Sequence, residues 1–161
     1  MDYDAPTRLR RLPSWRLNQA ALPAQRIIAD RLATAGARRQ HYALLASLDE
    51  FGPASQAALG RRTWMDRSDV VAVINELADG GFVERAPDPT DRRRNVITLT
   101  RAGTRHLRRL DTLLADAEDE LLGPLSVKER EQLMRLLSRI GDHHAAQAGA
   151  GGPWRSRAGR P

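Results

Sequence analysis

Two adjacent glycines, Gly80 and Gly81, end a strongly periodic helical segment and open onto two short strand-like runs joined by a basic turn. Ahead of them, Val70, Val73, Ile74 and Leu77 fall at i, i+3, i+4 and i+7, the spacing of one buried helix face. Glycine tolerates the left-handed backbone that terminates a helix, so the segment from Asp66 stops here. Phe82 to Ala86 then reads as a strand, and Pro87-Asp88-Pro89-Thr90-Asp91 as a turn. Arg92, Arg93 and Arg94 lie at its tip, and Asn95 to Thr100 reads as a second strand with Ile97 and Leu99 on one face.

The rest of the chain is helical by the same criterion. Residues 1–13 read as a loose arm. A helix is expected from Ser14, its cap, to about Ala35, with Leu17, Ala20, Ala21 and Ala24 on one face. Pro23 removes a backbone donor inside it, so a kink or a break is expected there. A second helix runs from Arg39 to Phe51, with His41, Leu44, Leu45 and Leu48 as its stripe, and Gly52-Pro53 stops it. Ser55 caps a short helix over Gln56 to Thr63, and Asp66 caps the one that reaches Asp79. Thr100 caps a long helix to Leu122, whose Leu107, Leu110, Leu114, Ala117 and Leu121 form a heptad-like seam suited to another helix. After Gly123-Pro124, Ser126 and Glu129 form a capping box for a last helix to about Ala146, with Leu133, Leu136, Leu137 and Ile140 as its apolar stripe. The tail over 147–161 is rich in Gly, Ala and Arg and is expected to be disordered. The fold class is therefore mainly α with a small β-hairpin.

Charge narrows the class of partner. The 161 residues carry 26 basic and 20 acidic side chains, a net charge of +6. A basic chain attracts polyanions, because neutralising phosphates releases counterions. Lys128 is the only lysine, so part of the arginine is compositional, and the placement of the charge says more than its sum. No run approaches the ~20 apolar residues of a membrane span. The first residues lack the apolar run of a signal peptide, and there is no cysteine, so a cytoplasmic protein is expected. Neither a phosphate loop G-x-x-x-x-G-K-[ST], an H-E-x-x-H zinc motif nor a G-x-S-x-G elbow occurs, so no enzyme and no cofactor are expected. His143 and His144 are adjacent on a helix and point apart, which argues against a metal site.

Helix, helix, capped helix, Gly-Gly and a hairpin with a basic tip make a winged helix-turn-helix, a lobe that docks on duplex DNA. The helix from Asp66 offers Arg67, Ser68, Val71, Ala72 and Asn75 on its outer face, small or hydrogen-bonding groups that suit the major groove. Asp69 complements the helix dipole or accepts a hydrogen bond from cytosine. Ser55, Gln56, Arg61 and Arg62 are placed near phosphates, and Arg92, Arg93 and Arg94 near a minor groove. Trp15, Arg16, His41, Tyr42 and Leu45 are candidates for a pocket that takes an aromatic carboxylate. The simpler reading, with Trp15 and Tyr42 in the core and His41 a satisfied polar group, is preferred. A different function, a winged-helix module that binds a protein partner, stays open; Trp64 alone leans that way.

The chain resembles the MarR family of regulators over about Pro13 to His144. The resemblance rests on Leu59 with Asp66-Arg67-Ser68-Asp69-Val70, on Leu77 with Gly81-Phe82-Val83-Glu84-Arg85, and on Asp91-Arg92-Arg93-Arg94 with Leu99-Thr100 and Gly103. Leu125-Ser126, Glu129, Leu133 and Leu137 resemble the family's last helix. Trp64 stands where family members often carry glycine, Thr63 replaces an apolar residue and Gly60 an alanine. The resemblance implies a homodimer joined through the first, fifth and sixth helices. It implies two recognition helices on a pseudo-palindromic operator, with half-sites about 34–36 Å apart. It also implies that Asp91 braces the wing, that Arg93 enters the minor groove, and that a small phenolic or anionic ligand releases the DNA of a repressor. The expected organisation is an arm at 1–13, a dimerisation helix at 14–38, the DNA-binding domain at 39–100, dimerisation helices at 101–146 and a basic tail at 147–161.

Overall fold

The computed structural model describes residues 5–87 and 95–148. The wing tip, including Asp91, Arg92, Arg93 and Arg94, and the tail from 149 onward lie outside the described residues. In chain order the elements are α1 (Thr7–Arg10), α2 (Pro13–Ala33), α3 (Arg39–Phe51), β1 (Ala54–Ser55), α4 (Gln56–Thr63), α5 (Arg67–Asp79), β2 (Val83–Pro87), β3 (Asn95–Leu99), α6 (Arg101–Leu121) and α7 (Val127–Ala148). The chain is mainly α with a small antiparallel sheet, as the sequence leads one to expect.

Several local expectations need correction. The arm contains the short helix α1, so the long helices counted first, fifth and sixth in the sequence are α2, α6 and α7. Ser14 does not cap α2; the helix begins one residue earlier, with Pro13 in the first turn, where its missing N–H costs nothing. Pro23 does not break α2, which continues through it to Ala33. Its ring is exposed, and the Gln19 carbonyl four residues earlier goes without its intrahelical donor. Asp66 holds the N-cap position of α5 in an extended conformation, but its side chain makes no capping hydrogen bond. At Ser126 only half of the capping box forms. The Glu129 carboxylate accepts from the Ser126 N–H at 2.8 Å and from its hydroxyl at 2.7 Å, which holds that carboxyl below its ordinary range.

The sheet has one strand more than the hairpin. Its order is β1-β3-β2, and β1 pairs Ala54 with Ile97 and Ser55 with Val96. Two residues carry too little alternation to be read as a strand, so β1 is legible only once β3 offers it a partner. β2 pairs with β3 in a register that sets Val83 opposite Leu99 and Arg85 opposite Ile97.

One core joins these pieces. Leu32, Leu44, Leu45, Leu59, Ile74, Ile97 and Leu110 are fully buried and come from six different elements. Burying each such side chain contributes about 2 kcal/mol. Within α6, Leu107, Leu110 and Ala117 are buried and Leu114 half-buried, so the expected seam faces the core and α2 of the same chain. Gly81, at φ +70°, ends α5 in a Schellman motif: the Phe82 N–H donates to the Leu77 carbonyl and the Gly81 N–H to that of Ala78, both at 2.9 Å.

Thr100 and Gly103 fasten the wing to α6. The Thr100 hydroxyl accepts from the Gly103 N–H at 2.9 Å and donates to the Gly81 carbonyl at 2.8 Å. A Cβ on Gly103 would stand 2.0 Å from the Phe82 carbonyl oxygen, so only glycine lets α6 start so close to the sheet. His106, one turn on, stacks on Phe82 with ring centroids 4.1 Å apart, and burial there lowers its pKa.

Candidate nucleic-acid interface

The face of α5 divides as its periodicity requires. Val70, Val73, Ile74 and Leu77 are buried, whereas Arg67, Ser68, Asp69, Ala72 and Asn75 are exposed and Val71 is half-buried. Short side chains at Ser68 and Ala72 leave the helix surface low, which lets a helix approach base edges.

Two devices hold this helix, and each brings in residues that were not assigned to the site from sequence: Arg38 and Glu76 in the first, Arg85 in the second. The first acts through Glu76. Its carboxylate accepts from the Arg38 guanidinium at 2.7 and 2.5 Å and lies 2.7 Å from His41 Nε2. His41 is buried, and its Nδ1 accepts from the Arg38 N–H at 3.2 Å. An acceptor at Nδ1 puts the proton on Nε2, so the neutral ring satisfies both partners. His41, then Arg38, holds the Glu76 carboxyl below the ordinary carboxylate range. The second device is on the wing stem: the Arg85 guanidinium donates to Asn75 Oδ1. No local pattern announces contacts between residues 38 and 76 or between 75 and 85, because they arise only from how α3, α5 and β2 pack.

Ahead of α5, Ser55 caps α4, its hydroxyl accepting from the Ala58 N–H at 3.3 Å. A side chain engaged in this way has less to offer a phosphate. Gln56 is half-buried at the helix start, and Arg61 and Arg62 are exposed in the last turn. Arg62 lies 4.8 Å over the ring of the exposed Phe51, a cation–π contact. Trp64 ends α4 in the left-handed conformation, φ 58° and ψ 25°. Thus the turn keeps the geometry that glycine would favour and places an indole there, 40% exposed. Gly60 fits a close helix contact, since a Cβ would meet Val70 Cγ2 at 3.3 Å and the Met65 carbonyl at 3.4 Å.

The five pocket candidates fall into separate groups. Arg16 donates to the Arg10 carbonyl at 3.0 Å and lies 5.3 Å over the Trp15 ring. Tyr42 donates to Asp111 at 3.0 Å on α6, and burial, then that bond, raises its pKa. Both ring nitrogens of His41 are engaged, and Leu45 is in the core at 0% exposure. No described hydrogen bond or ring contact links Trp15 and Arg16 to the other three. Among the described residues no His, Cys, Asp and Glu cluster is set to hold a metal, and no helix is long and apolar enough to cross a membrane.

Comparison with known proteins agrees with this geometry. Residues 35–94 match the family model described as MarR family. A putative transcriptional regulatory protein for the hcr operon of Thauera aromatica is 36% identical over 86 residues, 53% of this chain and 52% of that protein. The chain spans between 52% and 64% of the first curated relatives that it matches. A probable transcriptional regulator from Pseudomonas aeruginosa superposes with a TM-score of 0.73 at 32% identity, covering 82% of this chain and 98% of that one. The PcaV transcriptional regulator of Streptomyces coelicolor, in complex with its natural ligand, superposes with a TM-score of 0.72 at 27% identity over 88% of this chain and 99% of that one. These relatives are named as regulators, not as enzymes.

Proposed function

The chain belongs to the MarR family, and on that premise we propose that it is a sequence-specific duplex-DNA-binding transcriptional regulator, a repressor that acts as a homodimer. The observation that carries this reading is the outer face of α5, low at Ser68 and Ala72 and polar at Ser68 and Asn75, beside a hairpin whose connecting sequence includes Arg92, Arg93 and Arg94. Arg67, Ser68, Val71, Ala72 and Asn75 meet the major groove, with Asp69 at the helix start. Ser55, Gln56, Arg61 and Arg62 run beside the backbone. Asp91 braces the wing, and Arg92, Arg93 and Arg94 reach a minor groove.

Support for the dimer is an apolar surface that one chain leaves uncovered. On α7, Met134, Leu136, Leu137 and Ile140 are exposed, as are Leu12, Leu17 and Leu22 on or beside α2. A second copy buries these apolar side chains and sets the distance between the two recognition helices. The effector is a small aromatic or anionic ligand that favours another distance, and so shifts the population away from the DNA-competent form. PcaV, by name a ligand-binding regulator, supports this part of the reading. A protein-binding role for the lobe is the alternative, favoured by the exposed Trp64 and Phe51 alone.

The test is anisotropy titration of genomic duplexes retained by the immobilised protein, with sedimentation of the free protein. A dimer is expected, with Arg93→Ala weakening retained duplexes at least about tenfold, the scale of one strong contact in each half-site. Ile140→Glu is expected to yield monomer and lose binding. Equal affinity for retained and unrelated duplexes, or a wild-type monomer, contradicts the reading.

A further inference from the structure

Asn75 is the natural adenine reader on α5, because asparagine can donate to N7 and accept from the adenine amino group. That contact needs both ends of the amide. Here one lone pair of Oδ1 already accepts from the Arg85 guanidinium, so the amide plane is set by the wing stem rather than by a base. Arg85 sits on β2 opposite Ile97 of β3, on the wing stem, and is exposed. Its guanidinium thus lies in the corner between the recognition helix and the wing.

That corner has a fixed neighbour on DNA. If α5 enters a major groove and the wing the adjacent minor groove, a sugar–phosphate ridge separates the two and must pass between α5 and the wing stem. The contact with Asn75 uses one of the five N–H donors of a guanidinium and holds its plane in place. We propose that Arg85, braced by Asn75, grips a phosphate of this ridge, and that Asn75, although on the groove face of α5, serves there to position Arg85 rather than to read a base. The inference rests on the DNA-binding function proposed above and adds the contact that sets the register between groove and wing.

Salt dependence separates a phosphate grip from base reading. Each phosphate contact contributes about 0.9 to the slope of log K against log salt, so a dimer that loses two becomes shallower by about 1.8. The same relation gives a loss of about eightfold per contact at about 0.1 M salt. The experiment measures affinity for the best duplex recovered with the wild type, and for its single-base variants, across a salt series. Full-length wild type, Arg85→Ala, Arg85→Lys and Asn75→Ala are compared, with thermal melts to show that each is folded.

Arg85→Ala is expected to weaken every duplex by the same factor and to flatten the slope. Arg85→Lys keeps most of the slope, because a lysine still meets a phosphate as a point charge. Asn75→Ala is expected to weaken binding several-fold with unchanged base preference. A loss concentrated at one base pair in Arg85→Lys or Asn75→Ala, or an unchanged slope in Arg85→Ala, overturns the proposal. A wild type that binds no duplex overturns the proposed function itself, and is told apart because it appears before any variant is made.

Discussion

His41 Nε2 lies 2.7 Å from Glu76 Oε2, so a buried imidazole of α3 ties that helix to the recognition helix α5. Because the Arg38 N–H donates to Nδ1 of the same ring, one side chain both caps α3 and ties it to α5. Truncation leaves an N–H and a carboxylate short of a partner. His41→Ala is therefore expected to cost about 2 kcal/mol in urea unfolding. His41→Gln, whose amide offers one donor and one acceptor, is expected to recover part of it. Equal stability of all three proteins contradicts the role assigned to the ring.

The same contacts make stability depend on pH in the acid range. Glu76 has its folded-state pKa lowered, by His41 first and Arg38 second. A lowered carboxylate contributes stability that is fully present above its unfolded pKa and is lost as pH falls through the folded value. Urea midpoints taken from about pH 7 down to about pH 3 should fall less steeply in Glu76→Gln than in the wild type, across the carboxylate range. Parallel curves contradict this.

Gly103 is held by sterics. A methyl group there meets the Phe82 carbonyl at 2.0 Å and Leu99 Cδ1 at 2.7 Å, and the first of these is backbone. Gly103→Ala is expected to destabilise the fold by about 3 kcal/mol, at the upper end of overpacking. The measurement is chemical unfolding, and a change below about 0.5 kcal/mol, the range of an innocuous surface substitution, contradicts the close approach.

Trp64 carries a positive φ of 58° without being glycine. Two variants that both lose the indole isolate the backbone effect. Trp64→Asn is expected to be more stable than Trp64→Val by about 1 kcal/mol, because asparagine adopts the left-handed conformation readily and a β-branched residue does not. Thermal melts of the two decide, and the reverse order contradicts the turn geometry.

Most of this architecture was legible in the sequence, for identifiable reasons. The bounds of α3, α4 and α5 follow from helical spacing plus Gly52, Ser55 and Gly81, signals that lie within each segment. Pro23 misled because a proline rule describes the cost to a helix, and α2 continues through an exposed proline in spite of that cost. β1 and the contacts Arg38–Glu76 and Arg85–Asn75 were not legible, since each joins residues set together by tertiary packing. At the site, the division of α5 into buried and exposed faces was readable from periodicity. That the Asn75 carbonyl is engaged was not, because its partner lies on another element.

The central claim is that two copies of this lobe read one operator. Selection of bound sequences from a random duplex pool, read by sequencing, tests it most directly. Enrichment of an inverted repeat with half-sites about one DNA turn, 34–36 Å, apart is expected. A pool that emerges with no motif, or with a single unrepeated half-site, contradicts it.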